Sequence, residues 1–137
     1  MIKFNTMKKQ KIVFWTTTGL FALSMLISAN MYLTNEEVKI GFLTHLGIPD
    51  YLRIELAVAK ILGSLTLILP FVPREFKFFA YAGFAINLIS ASVAHIALGD
   101  PIGEVIKPML FLALLIASFL YYNKLYNSNE KYDTAKN

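Results

Sequence analysis

Apolar residues run in long blocks along this chain, broken by short clusters of charge, proline and glycine. The first block, Ile12 to Leu33, holds 22 residues without a formal charge. At about 1.5 Å per residue that is enough to cross roughly 30 Å of hydrocarbon. Lys3, Lys8, Lys9 and Lys11 precede it in the manner of a signal peptide. Signal cores run only about 7–15 apolar residues, however, and Ile27-Ser28-Ala29 is a poor cleavage site, so the block reads as a retained helix over about residues 12–33. A second helix opens after Pro49, which suits a helix start, and runs over about residues 50–70 with Glu55 and Lys60 inside it. Pro70 and Pro73 bracket a turn into a third helix over 74–98. Asp100 as N-cap and Pro101 at the first position begin a last helix over 101–122, which Pro108 is expected to kink.

Between the first two long helices, Thr34-x-x-Glu37 has the form of a capping box, and Val38, Phe42 and Leu46 recur at helical spacing before a stop at Gly47. This predicts a short amphipathic helix over about 35–46, lying at the membrane surface. Residues 127–137 are polar and are expected to form a disordered tail. The expected fold is therefore all-α: a polytopic membrane protein with a four-transmembrane-helix bundle and a surface helix between its first and second spans.

Composition strengthens this picture. Of the 137 residues, 56% are hydrophobic and only 16% charged, where a soluble domain carries about a quarter charged. Four spans leave little chain for a catalytic domain outside the bilayer. The lack of cysteine excludes disulfides, thiolate metal sites and C-x-x-C redox pairs. The net charge of +4 reflects topology. Lys3, Lys8, Lys9, Lys11, Arg74, Lys77, Lys124, Lys131 and Lys136 fall at one side of the predicted spans, against Lys39 and Arg53 at the other. The positive-inside rule then places both termini in the cytoplasm. Tyr121, Tyr122 and Tyr126 at the inner end and Tyr32 and Tyr51 at the outer fit aromatic belts. No nucleic-acid footprint is present.

Projected at 100° per residue, the second helix gathers Glu55, Ala59, Lys60, Gly63, Ser64 and Thr66 on one side, and Ile54, Ala57, Val58, Leu62 and Leu65 on the other. The third gathers Gly83, Asn87, Ser90, Ala91, Ala94 and His95, opposite Tyr81, Ile86, Ile89 and Val93. The small and polar sides are expected to face the bundle, with Ala59, Gly63, Gly83 and Ala91 as helix-packing positions and Gly19, Ser24 and Ser28 packing less cleanly on the first helix. Asn30, Glu55, His95, Glu104 and Lys107 come to a similar depth near the outer boundary, with Lys60 and Asn87 deeper. A charge at mid-membrane costs roughly 2.5–3.5 kcal/mol on insertion scales, more than one interhelical bond returns. Glu55, Lys60, Asn87, His95, Lys107 and Asn30 therefore form a candidate polar pocket. In it Glu55 pairs with Lys107 or His95, and Lys60 with Asn87 or Glu55. The alternative is that the same groups only glue the helices together. No histidine and carboxylate spacing here matches a zinc or di-iron site, and His45 is not placed to complete a bis-histidine haem with His95.

The runs Glu55-Leu-Ala-Val-Ala-Lys60-Ile-Leu-Gly63, Tyr81-Ala-Gly83-Phe, Ala94-His95-Ile-Ala-Leu-Gly99-Asp100-Pro101 and Gly41-Phe-Leu-Thr-His45-Leu-Gly47-Ile-Pro49 resemble the DoxX-like family, over roughly Phe14 to Tyr121. The resemblance implies a small four-helix protein of the bacterial cytoplasmic membrane. The family takes its name from a membrane subunit associated with an archaeal thiosulfate:quinone oxidoreductase and terminal oxidase. It supplies no agreed catalytic set, and the matching polar positions are Glu55, Lys60, His95 and Asp100. Three functions are compatible with these features. The preferred one is a quinone- or lipid-binding membrane subunit supporting a redox enzyme, within a larger membrane redox complex. The others are a non-catalytic assembly protein and a permeation unit acting through self-association.

Overall fold

A computed structural model describes residues 2–136, which form five helices: α1 (Ile2–Thr34), α2 (Glu36–Thr44), α3 (Asp50–Ile68), α4 (Arg74–Leu98) and α5 (Ile102–Lys136). By length and composition α1, α4 and α5 are long and apolar enough to cross a membrane. The remaining expected span, α3, forms as a helix of 19 residues. With Asp50, Arg53, Glu55 and Lys60 along it, α3 does not join the other three on those criteria.

Turn chemistry sets the boundaries. Asn35, not Thr34, caps α2: its side-chain oxygen accepts from the N–H groups of Glu37 at 2.9 Å and Val38 at 3.2 Å, whereas the Thr34 hydroxyl turns back to the Asn30 carbonyl. The expected capping box therefore does not form: the cap moves to Asn35, which has Val38 three residues on. Gly47, at φ 65°, turns the chain away from α2. Gly99, at φ 71°, ends α4 in a Schellman motif, with Asp100 N–H bonded to the His95 carbonyl at 3.0 Å and Gly99 N–H to Ile96 at 3.1 Å.

Two terminal expectations are corrected. Helix α1 starts at Ile2, ahead of the apolar block, and α5 continues as helix through Lys136 where a disordered tail was predicted. No glycine or proline interrupts the chain after Pro108, and the hydroxyls of Ser128 and Thr134 bond carbonyls one turn back, so nothing local stops the helix. Asn137, the last residue of the predicted tail, lies outside the described residues.

The four long helices form a ring in which α1 packs against α3 and α5, α5 against α4, and α4 more loosely against α3, while α2 rests on α1 and α3. Each inward stripe repeats every three to four residues. On α3 it is Arg53, Ala57, Lys60, Ser64 and Leu67; on α4 it is Lys77, Tyr81, Phe84, Leu88 and Ser92. Phe21, Met25, Leu67, Tyr81, Phe84, Leu88 and Leu115 make the core, with the Phe21 and Phe84 rings edge to face at 5.0 Å. At its centre the Ser118 hydroxyl lies 2.6 Å from that of Thr18 and 2.8 Å from that of Tyr81, so α1, α4 and α5 share one buried hydrogen-bond junction.

These stripes correct the sequence projection. Ala57 and Tyr81, placed outward by pattern, are buried, and Glu55, Ala59, Gly83 and Ser90, placed inward, are exposed, with Thr66 half-buried. At 100° per residue both helices are turned by roughly a quarter revolution from the expected orientation. The physical reason is that leucine gains nothing by leaving lipid, so apolar bulk alone does not mark the outward side of a membrane helix. The small and polar sides of α3 and α4 instead border the loose seam between those two helices. Gly19 also differs: it is exposed and has no close neighbour.

The α3–α4 turn is held by an unforeseen device. Lys77 is buried, and its ammonium donates to the carbonyls of Thr66 at 3.0 Å, Leu67 at 3.1 Å and Leu69 at 2.9 Å. Those are the orphan acceptors at the C-terminus of α3, where the helix dipole also favours a cation. At the same end of the bundle Arg74 lies over the Tyr126 ring at 4.0 Å and bonds Asn123, joining α4 to α5.

Candidate functional site

The loose α3–α4 seam leaves space. A cavity of about 820 Å³ lies under α2, walled by Val38 and Phe42 of α2, Leu46 just beyond it, Leu56 of α3, and Asn87, Ser90, Ala91, Ala94 and His95 of α4. A second space of about 370 Å³ continues along the seam, sharing Leu56, Gly83 and Asn87 with the first. Gly83 has no heavy atom within 4 Å of where a Cβ would stand, so its missing side chain belongs to this open volume. Gly63 is the opposite case, since a Cβ there would come within 2.7 Å of the Phe84 ring.

At one end of the larger cavity stands a polar cluster. Asp100 Oδ2 lies 2.6 Å from His95 Nδ1, and Asp100 Oδ1 lies 2.7 Å from His45 Nε2. An ionised carboxylate only accepts, so each imidazole donates one N–H to it and keeps the other ring nitrogen free. His45 Nδ1 and His95 Nε2 are thus the uncommitted groups, and both histidines line the cavity. The contact also ties the end of α2 to the α4–α5 turn. Asp100 was expected to cap the last helix; its carboxylate instead bridges two histidines.

Asp100 lies between the long helices, and its carboxyl is held below the usual carboxylate range, first by the hydrogen bond from His95, against burial, and then by His45. A depressed folded-state pKa adds stability that is present above the ordinary aspartate value of about 3.9 and is lost as pH falls through the lower folded value. The thermal midpoint of the wild type should therefore exceed that of Asp100→Asn near pH 6, and the gap should close as acid is added below about pH 4. A gap independent of pH would show that the carboxylate contributes nothing through its charge.

The predicted site residues separate. His95 and Asn87 line the large cavity, with Glu104 beside them. Lys60 is buried against α1, donating to the Ser28 hydroxyl at 2.8 Å with its ammonium 3.9 Å from the Tyr32 ring centre. It bonds neither Asn87 nor Glu55, because the turned α3 aims it at α1. Lys107 is exposed and pairs with Glu104 at 2.5 Å within α5, so the expected pairing of Glu55 with Lys107 or His95 does not form. Glu55 and Asn30 are exposed. Equal depth along the bundle did not bring these groups to a common interior, since their helices present them to different sides. Among the described residues no group of three or more histidine, cysteine and acidic side chains could hold a metal ion. The His95–Asp100 contact had a sequence signal, because a Schellman glycine at 99 brings those two positions together. The His45 contact, 55 residues away in sequence, had none.

The model of the DoxX-like family matches residues 16–118, which include α2, α3, α4 and both histidines of the cluster. The chain belongs to the DoxX-like family. No curated protein and no solved structure matches it. Membership in the DoxX-like family, together with three apolar helices of spanning length, marks a membrane protein whose activity the family does not assign. The functional reading of this DoxX-like chain consequently rests on its own cavity and cluster.

Proposed function

We propose that this protein crosses the bacterial cytoplasmic membrane four times, with both termini in the cytoplasm, and holds a quinone or lipid in the cavity beneath α2, as a membrane subunit supporting a redox enzyme. The fourth span is α3. Three of its charged groups are locally compensated: Arg53 is buried and bonds Asp50 at 2.6 Å, and Lys60 has Ser28 and Tyr32. Glu55 lies near the helix start, about 8 Å from Asp50 along the axis, close enough to reach the interface. The excess of lysine and arginine at one end supports the orientation.

The observation that carries the ligand is the cavity itself. Its volume of about 820 Å³ falls in the range of small-molecule sites, about 300–1,000 Å³. A largely apolar wall with convergent polar groups at one end suits a molecule with a hydrocarbon body and an oxygen-bearing head. The test is purification from native membranes, solvent extraction and mass spectrometry, followed by quinone titration of the delipidated protein. About one quinone or lipid per chain, or saturable rebinding, is expected. Neither retention nor saturable binding would remove the proposal. The subunit role adds a separate expectation: crosslinking in membranes recovers a redox enzyme in fixed ratio, and recovery of none would remove that part.

A further inference from the structure

The charges around the cavity are lopsided. His45, His95 and Glu104 line it, Asp100 stands behind the two imidazoles, and no lysine or arginine is in its wall. Two cations stand behind the wall, each engaged by a residue that lines the cavity, Glu104 for Lys107 and Tyr32 for Lys60. Lys107 sits outside the wall on Glu104 at 2.5 Å, and Lys60, which lines the adjoining space, is turned to Ser28 and Tyr32 on α1. When the imidazoles are neutral, the uncompensated charge at the polar end is the Asp100 carboxylate. A phosphate or carboxylate head placed there meets a like charge, with low-dielectric walls and no counter-cation. An uncharged head meets no such repulsion: a hydroxyl can donate to the free nitrogen of His95, an acceptor while Asp100 holds the proton of Nδ1, and a carbonyl oxygen can accept from the Asn87 amide or the Ser90 hydroxyl in the same wall.

From this geometry we infer that the cavity selects an uncharged, oxygen-headed amphiphile and excludes anionic ones, Asp100 setting the selectivity by its charge and by positioning both imidazoles. The inference rests on the ligand-binding reading proposed above and narrows it: a quinone or neutral glyceride fits, and an anionic phospholipid or fatty acid does not.

The full chain in nonionic detergent at about pH 8, where imidazole is ordinarily neutral, is titrated with monolaurin, laurate and a decyl-substituted benzoquinone. Monolaurin and laurate share one hydrocarbon chain and differ in head charge. Monolaurin and the benzoquinone should bind at least about tenfold more tightly than laurate. Asp100→Asn should reduce that ratio below about threefold, and Asp100→Glu should retain it. Ala91→Lys, which adds an ammonium one turn from His95 and leaves the cluster intact, should turn the preference toward laurate and keeps the inference testable if Asp100→Asn fails to fold. Equal binding of laurate and monolaurin by the wild type overturns the selectivity while leaving a ligand site in place. Discrimination unaffected by both Asp100→Asn and Ala91→Lys overturns the role given to the cluster. Saturable binding of none of the three probes overturns this inference and the ligand-binding reading together.

Discussion

Gly83→Phe is expected to weaken ligand binding by about 100-fold, close to 2.7 kcal/mol, without unfolding the protein. Gly83 walls both spaces along the α3–α4 seam, its position is exposed, and nothing stands within 4 Å of a Cβ built on it. A phenyl ring there has room to exist and occupies the neck where the two spaces meet. The measurement is a binding titration paired with a thermal midpoint. Normal stability with unchanged affinity would move the ligand away from this seam. Gly63→Ala is the informative contrast. One methyl group at that position collides with the Phe84 ring, so the smaller change should cost stability, about 1–3 kcal/mol, where the larger one does not.

Lys77→Met should be among the most destabilising single substitutions in the chain, at about 2–4 kcal/mol. It removes the shared donor of three carbonyls at the end of α3 and leaves them without it in a partly buried stretch. Methionine fills a similar volume, so the loss reports on hydrogen bonding and charge more than on packing. A fall of about 10 °C in the detergent-solubilised thermal midpoint is the expected reading. Lys77→Arg, which keeps the charge and donors, should fall by less. An unchanged midpoint in Lys77→Met would mean that water satisfies those carbonyls and that the lysine only marks the end of a helix.

The order and number of helices were legible because apolar blocks, prolines and glycines punctuate a membrane chain clearly. Gly47 and Gly99 show this, both at positive φ where a helix ends. Orientation of the helices about their own axes was not legible. In water a polar side marks solvent; in a bilayer both lipid and protein accept leucine, and a small or polar side can face a neighbouring helix or an open seam. Gly83, Ser90 and Ala59 lie on such a seam, and that ambiguity turned the expected faces of α3 and α4. The site was legible only in part. His95 and Asn87 reach the cavity, but Glu55, Asn30 and Lys107 share only a depth with them. Lys77 resembled a topological marker in sequence, because nothing local shows that a lysine at a span boundary will fold over the preceding turn. The His45–Asp100 contact depends on where α2 settles, which is decided by packing such as the Tyr32–Phe42 ring contact at 4.7 Å.

Photolabelling of the protein in lipid bilayers tests the central claim most directly. The reagent is an uncharged amphiphile carrying a diazirine beside its head group, and the labelled peptides are sequenced by mass spectrometry. Saturable labelling should concentrate on Phe42 of α2 and on Asn87, Ala91 and Ala94 of α4, be competed by unlabelled ligand, and disappear in Gly83→Phe. Labelling confined to outward positions such as Ile89 and Val93, rising linearly with reagent and indifferent to competitor, would show a lipid-facing surface with no binding site beneath α2.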